Sequence, residues 1–217
     1  MEQARPSMSF PIFLNLRGRL CTIIGGGEVA ARKAAALLRE EACVRVVAPE
    51  LSDEMKALLV SPHLTHVSRA YQEGDLEGSA LAFAATNEAD VNAAVYQEAE
   101  STGIPVNVAD DPAHCTFFMP AAVHRDPITI AISTEGCSPA LARHLRRKIE
   151  EAVPPAYAHL ARLLGRLRPE LMAAVAERGQ RKERLERVVN SEVLSLLFSG
   201  RFEEAEQLAR SLLGLDT

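Results

Sequence analysis

Leu20-Cys-Thr-Ile-Ile-Gly-Gly-Gly-Glu-Val-Ala-Ala-Arg-Lys33 is the stretch whose reading decides the fold. An apolar run, Leu20 to Ile24, breaks at three glycines and resumes as an alanine-rich, helix-forming run. Strand, tight turn and helix N-terminus in that order predict a dinucleotide-binding α/β fold. Gly25 permits the turn, Gly26 continues it, and Gly27 lets a pyrophosphate approach the backbone with no Cβ in the way. Ala30 is the third small position, where helix and strand pack closely. Glu28 and Val29 open the helix, whose first-turn N–H groups face the phosphate with the helix dipole aiding them. A glycine-rich turn can also join strand to helix for steric reasons alone. The legible strand before it and helix after it favour the cofactor reading.

Outward from this stretch, strands and helices alternate. The first helix is expected from Glu28 to about Glu40, and a second strand over Val44 to Ala48, ended by Pro49. Ser52 reads as the N-cap of a short helix with Met55, Leu58 and Leu59 on one face. Further strands are expected at Leu64 to Ser68, Leu81 to Ala85 and Pro105 to Val108, with a helix from Asp90 to about Ser101. Such alternation implies a doubly wound parallel sheet of the Rossmann type. Upstream, Phe10 to Leu16 is apolar and is expected to pack a sheet edge or reach over a ligand, after a disordered lead-in over residues 1–7.

Beyond Ala109 the alternation stops. Two β-like runs, Ala121 to His124 and Ile128 to Ser133, read as an antiparallel pair. A helix with Pro139 at its first position follows, carrying Arg143, His144, Arg146, Arg147 and Lys148. Pro154-Pro155 closes it, and from Tyr157 onward the pattern is helical. Leucine and phenylalanine stripes run there through Leu160, Leu163, Leu164 and Leu167 and later through Phe198 and Phe202. The expected division is therefore an NAD-binding Rossmann domain over 1–119, a small α+β region over 120–153 and an all-α domain over 154–217.

A net charge of −5 on 217 residues argues against general nucleic-acid affinity. No apolar run reaches the roughly 18 residues that span a bilayer, so no membrane partner is expected and a cytoplasmic location is the default. Cys21 and Cys43 fall in or beside buried strands, and Cys115 and Cys137 in loops. With no Cys-x-x-Cys pair, neither a disulfide nor a metal site is expected.

In this fold the tip of the second strand reads the adenosine ribose. That tip is Pro49-Glu50-Leu51, with a carboxylate in reach and no adjacent Lys or Arg to receive a 2′-phosphate, which favours NAD over NADP. Ligands bind beyond the C-terminal strand ends, which here brings in Thr86, Asn87, Asp110 and Asp111. A carboxylate shielded by Phe117, Phe118 and a bound cofactor would suit a general base. Asp111, before Pro112, equally suits a turn. His114 lies close by as a second acid–base group, a metal contact or a surface histidine. Tyr71, Tyr96 and Tyr157 each lack a lysine four residues on, which counts against a short-chain dehydrogenase.

These pieces together resemble the precorrin-2 dehydrogenases, which also form the N-terminal module of sirohaem synthases. The resemblance rests on Pro11-Ile-Phe-Leu-Asn-Leu16, Ile24 to Lys33, Val47-Ala-Pro-Glu50 and Ala84-Ala-Thr-Asn87. It continues through Val106-Asn-Val-Ala-Asp110, Phe117-Phe-Met-Pro120 and Ile132 to Arg143. It implies NAD⁺-dependent oxidation of precorrin-2 to sirohydrochlorin, with Asp110 as the essential aspartate. It places nucleotide contacts on Gly25 to Val29, Glu50, Leu51, Thr86 and Asn87. An intertwined homodimer with a central dimerisation region is implied too. Some relatives also insert Fe²⁺, so iron is a partner only if chelatase activity is present. The substrate is a polycarboxylate macrocycle. Arg143, Arg146, Arg147 and Lys148, with His114, His124 and Arg125, are the candidate contacts for it, against the alternative of a solvated helix face. Thr134 and Asp111 depart from residues found in some relatives, and methylation of uroporphyrinogen is not expected of these residues. A rival from another class is a nucleotide-sensing interaction module without chemistry.

Overall fold

Short, largely apolar strands build the sheet of the first unit, and those at its centre are hidden on both faces. The computed structural model describes residues 9–215, so the lead-in expected over 1–7 lies outside the described residues. In chain order the elements are β1 (Leu20–Ile24), α1 (Glu28–Arg39), β2 (Cys43–Val47), α2 (Asp53–Leu58), β3 (Leu64–Val67), β4 (Leu81–Ala84), α3 (Ala89–Thr102) and β5 (Val106–Val108). All five strands are parallel, in the order β3-β2-β1-β4-β5. β4 is buried at every position, and Ile23 and Val46 are fully buried, as expected where helices cover both faces.

Two apolar clusters sandwich the sheet. One joins Ile23, Val46 and Phe83 to Ala30, Ala34 and Leu37 of α1; the other joins Ile24, Ala84 and Val108 to Val95 and Ala99 of α3. Ser52 caps α2 as expected, accepting from the Met55 N–H at 3.2 Å. Gly103 ends α3 in the left-handed conformation. Between β3 and β4 there is a polar loop rather than a helix. The Arg69 guanidinium grips Asp75 through two bonds of 2.6 and 2.7 Å, while buried Glu98 accepts from Leu76 N–H at 3.0 Å and from the Tyr71 hydroxyl. Phe10, Ile12, Phe13 and Leu14 are exposed, so the apolar run before β1 does not pack the sheet edge; only Leu16 leans on the core.

A second unit begins at Pro120, where the first ends at Met119. It opens with the antiparallel pair β6 (Ala121–Arg125) and β7 (Ile128–Ile132). α4 (Pro139–Ala152) follows, capped by Ser138, which accepts from Leu141 N–H at 3.1 Å. Then come α5 (Pro155–Ala174), α6 (Arg178–Val189), α7 (Val193–Phe198) and α8 (Phe202–Leu213). Leu160, Leu163, Leu167 and Leu171, at helical spacing on α5, pack on Val188, Val193, Leu197, Ala209 and Leu213. Phe198 and Phe202, read as part of an apolar stripe, are instead half exposed. Among the described residues no helix is long and apolar enough to cross a membrane.

Candidate functional site

The glycine turn sits where the strand order reverses, between β1 with its neighbour β2 on one side and β4 on the other. Crevices at such switch points bind ligands in open α/β sheets. The three glycines divide the work. Gly25 has φ +120°, and a Cβ there would stand 2.3 Å from the Ala85 carbonyl oxygen. At Gly26 a Cβ would stand 2.1 Å from the Glu50 carbonyl oxygen. Hydrogen bonds hold this packing: Gly25 N–H donates to Val47 O at 2.9 Å and Ser52 N–H to Gly26 O at 2.8 Å. Gly27 faces open space, where a Cβ would meet nothing within 4 Å, and it is the N-cap of α1 with no side chain capping it. Glu28 is exposed and Val29 half-buried at that open end, and Ala30 is fully buried against the sheet. A tight turn with one open glycine under uncapped N–H groups fits a dinucleotide pyrophosphate.

Beside the turn, a cleft of about 410 Å³ is lined by Pro49, Glu50, Leu51, Lys56, Leu59 and His66. It brings together the three residues expected at the β2 tip. It also corrects one expectation, since a cation does stand near Glu50: Lys56, whose ammonium pairs with Asp53 at 3.0 Å. Leu59, expected on the packed face of α2, is exposed and lines the cleft instead. His66 Nε2 meets the Ala48 carbonyl at 2.9 Å, tying β3 to the β2 tip. On the other side of the turn, Thr86 is half-buried and Asn87 exposed. Asn92 of α3 braces Thr86: its Oδ1 accepts from the Thr86 hydroxyl at 2.8 Å and its amide donates to Thr86 O at 3.1 Å.

Asp110 follows β5 with φ +59°, a left-handed conformation that is uncommon for a residue with a side chain. Its carboxylate is exposed and makes no hydrogen bond among the described residues. Asp111 differs. Its Oδ2 meets His114 Nδ1 at 2.6 Å, and this bond holds the Asp111 carboxyl below its ordinary value. The His114 ring packs edge-on against Tyr96 at 4.6 Å. Asp111 and His114 are thus engaged with each other, which leaves Asp110 as the uncommitted carboxylate of the loop. Phe117, expected as its shield, turns edge-on to Phe83 in the core at 5.3 Å.

The basic residues of α4 belong to the second unit. Arg143 and Arg147 are exposed. Arg146 donates to Glu150 at 3.1 Å, and Arg125 reaches the same carboxylate at 3.4 Å, so these two are partly neutralised. Lys148 lies 3.5 Å from Glu151. His124 is exposed on β6.

Residues that the sequence reading missed are Lys56 and His66 in the cleft, Asn92 behind Thr86, and Lys33 and Asn107 beneath the Asp110 loop. Helical spacing from the Ser52 cap was the available signal for Lys56. Asn92 lies six residues from Thr86, in the first turn of α3, whereas His66 meets Ala48 across 18 positions and Lys33 meets Asn107 across 74, with no local mark.

Three family models match consecutive parts of the chain: "Putative NAD(P)-binding" over residues 12–121, "Sirohaem biosynthesis protein central" over 125–152 and "Sirohaem synthase dimerisation region" over 156–213. The chain is 42% identical over 197 residues to the siroheme synthase of Nitrosomonas europaea, covering 90% of this chain and 42% of that protein. It is 39% identical over 210 residues to that of Thioalkalivibrio sulfidiphilus, covering 96% and 43%. The chain thus spans less than half the length of these curated relatives. Among solved structures, SirC, a precorrin-2 dehydrogenase, matches with a TM-score of 0.77 at 24% identity, over 94% of this chain and all of that one, so the fold is shared. The resemblance read from the motifs is borne out. Because the first family model spans about half of its residues, and the glycine turn and switch-point crevice lie within that span, the chain belongs to this NAD(P)-binding family.

Proposed function

We propose that the chain oxidises precorrin-2 to sirohydrochlorin with NAD⁺ as the acceptor, as a step of sirohaem formation. The observation that carries this reading is Asp110. It is an uncommitted carboxylate, held in a left-handed turn at the C-terminal end of β5, in the sheet whose switch point carries the glycine turn. The names of the relatives supply the substrate class. When bound, the dinucleotide supplies a two-electron acceptor that takes hydride from a carbon of the macrocycle. Asp110 accepts the proton lost from the substrate as that C–H bond breaks, so one hydride and one proton leave together. Gly27 and the first turn of α1, with Glu28 and Val29, take the pyrophosphate. Glu50 holds the adenosine ribose between Pro49 and Leu51, and Thr86 and Asn87 line the path toward the nicotinamide. His114 steadies the loop through Asp111. Arg143 and Arg147, with Arg146, offer α4's exposed face to substrate carboxylates.

Incubation with precorrin-2 and NAD⁺ is expected to generate NADH, read by its absorbance near ~340 nm. Asp110→Asn should lower that rate about 100-fold or more with an unchanged circular dichroism spectrum. Undiminished turnover in the variant removes Asp110 as the base. NAD⁺ binding without any tetrapyrrole binding favours the sensing module instead.

The division into 1–119, 120–153 and 154–217 is proposed on the limits of the three matching families. A homodimer is proposed because the third family describes a dimerisation region and because α4 exposes Leu141 and Leu145. Sedimentation at two concentrations tests it. Since the relatives are named siroheme synthases, Fe²⁺ insertion is a second reading. Sirohydrochlorin and Fe²⁺ supplied without NAD⁺ test it, and no acceleration over the spontaneous reaction ends it.

A further inference from the structure

Lys33 is a half-buried lysine of the first unit that the proposed reaction leaves unused. From α1 its ammonium donates to Asn107 Oδ1 at 2.6 Å and stands 5.1 Å from the centroid of the Phe83 ring. Among the described residues it forms no ion pair with a carboxylate. Burial pushes its proton affinity down and nearby Arg32 lowers it further, while Cys115 and Asp110 act to raise it. A partly desolvated cation without a carboxylate partner is costly, so its placement asks for a reason.

The reason lies in what Asn107 holds. Asn107 is buried in β5 between Val106 and Val108. With its Oδ1 occupied by Lys33, its amide nitrogen must turn the other way. There it donates to the Phe117 carbonyl at 3.1 Å and approaches Cys115 Sγ at 3.5 Å. Cys115 Sγ in turn accepts from Val108 N–H at 3.2 Å and lies 3.2 Å from the Val108 and Asp111 carbonyl oxygens. Thr116 returns beside β5, its N–H donating to Val106 O at 2.9 Å. The bonds linking Val106, Asn107 and Val108 to Cys115, Thr116 and Phe117 pin the two ends of the loop that carries Asp110.

We infer that Lys33 is a positioning residue, acting through Asn107 to fix the 108–117 loop and with it the stance of Asp110. The consequence for turnover rests on the dehydrogenase reading above, but the anchoring itself does not. Lysine's flexible stem brings the charge to Asn107 across 74 positions of sequence. A neutral residue would leave the Asn107 Oδ1 without its charged donor and weaken the hold of Asn107 on the loop.

Hydrogen exchange and kinetics on Lys33→Met, Lys33→Arg, Asn107→Leu and the Lys33→Met/Asn107→Leu double variant test this. In Lys33→Met, exchange of peptides covering 108–117 should quicken about tenfold or more, while peptides from β1 and α3 keep their protection. Its kcat should fall about 10- to 100-fold, with NAD⁺ affinity within about twofold of the parent. Lys33→Arg should recover most of both losses. The double variant should be no worse than Asn107→Leu alone, since the two residues act in series. Unchanged loop exchange in Lys33→Met overturns the inference. So does uniform loss of protection across the unit, which marks a merely structural lysine, or additive effects in the double variant. If the parent chain produces no NADH from precorrin-2, the dehydrogenase reading fails, and loop exchange still decides the role of Lys33.

Discussion

Replacing Gly25 and Gly27 by alanine, one at a time, should separate the glycine that builds the turn from the glycine that receives the ligand. At Gly25 an alanine would be forced to φ +120° and its Cβ to 2.3 Å from the Ala85 carbonyl oxygen. Backbone strain of that kind costs about 1–3 kcal/mol, and overpacking against a fixed backbone about 1–3 kcal/mol more. The sum, about 2–6 kcal/mol, is a large part of the ~5–15 kcal/mol that holds a domain together. Gly27 differs on both counts. Its φ of −79° and ψ of −177° are extended backbone open to any residue, and a Cβ meets nothing within 4 Å. Alanine there should cost the fold less than about 1 kcal/mol, the loss of a favourable N-cap residue. Its methyl, however, occupies the space through which the pyrophosphate reaches the N–H groups. Losing one charge-assisted contact of about 1.5–3 kcal/mol corresponds to a roughly 10- to 100-fold rise in Kd. Urea unfolding followed by circular dichroism, suited to a chain with no tryptophan, reads the first effect. Calorimetric titration with NAD⁺ reads the second. Parental NAD⁺ affinity in Gly27→Ala, or a parental unfolding midpoint in Gly25→Ala, would refute this division of labour.

Other outcomes follow from the same geometry. Glu50→Ala should weaken NAD⁺ and improve NADP⁺ binding, each by about tenfold, because Lys56 lines the same cleft and is then the charge nearest a 2′-phosphate; titration with both nucleotides checks it, and unchanged preference counts against Glu50 as the ribose contact. The Arg69 bond depresses the Asp75 carboxyl below its ordinary value. Its stabilisation is therefore present above the unfolded value of about 3.9 and is lost as pH falls through the lower folded value. Asp75→Asn should lower the urea midpoint at pH ~7 and flatten its fall in the acid range; a mutant as acid-sensitive as the parent would assign that sensitivity elsewhere. Burial pushes the Cys21 thiol up to about 11, whereas Cys137 is exposed. A thiol reagent at mildly alkaline pH should label Cys137 first and Cys21 only on unfolding, as peptide mapping would show.

Local pattern alone carried much of the molecule. The run from Leu20 to Lys33 determined strand, turn and helix because each is a property of neighbouring residues: apolar β-formers, glycines free to take positive φ, then alanines. Alternation of such segments implied the parallel sheet. The position of Asp110 at a strand end followed from that sheet, without knowledge of its surroundings. Helix starts were legible to within a residue or two where the local pattern marked them, as at the Ser52 cap of α2 and at Pro139 opening α4. What periodicity could not separate was a packed apolar residue from an exposed one at the rim, which is why Leu59, Phe198 and Phe202 fell on the wrong side.

Tertiary structure decided the partnerships. Lys33 meets Asn107 only because β4 and β5 are laid beside β1 after the crossover. His66 reaches the Ala48 carbonyl only because β3 pairs beside β2. The bond between Asp111 and His114 is local, three residues apart, yet two adjacent aspartates in sequence do not announce which of them makes it. The physical reason is one of range. Backbone preference and hydrophobic period act over a few residues and are written in the chain directly. A side chain's charge, shielding and hydrogen-bond partner depend on what the fold brings next to it from elsewhere in the chain.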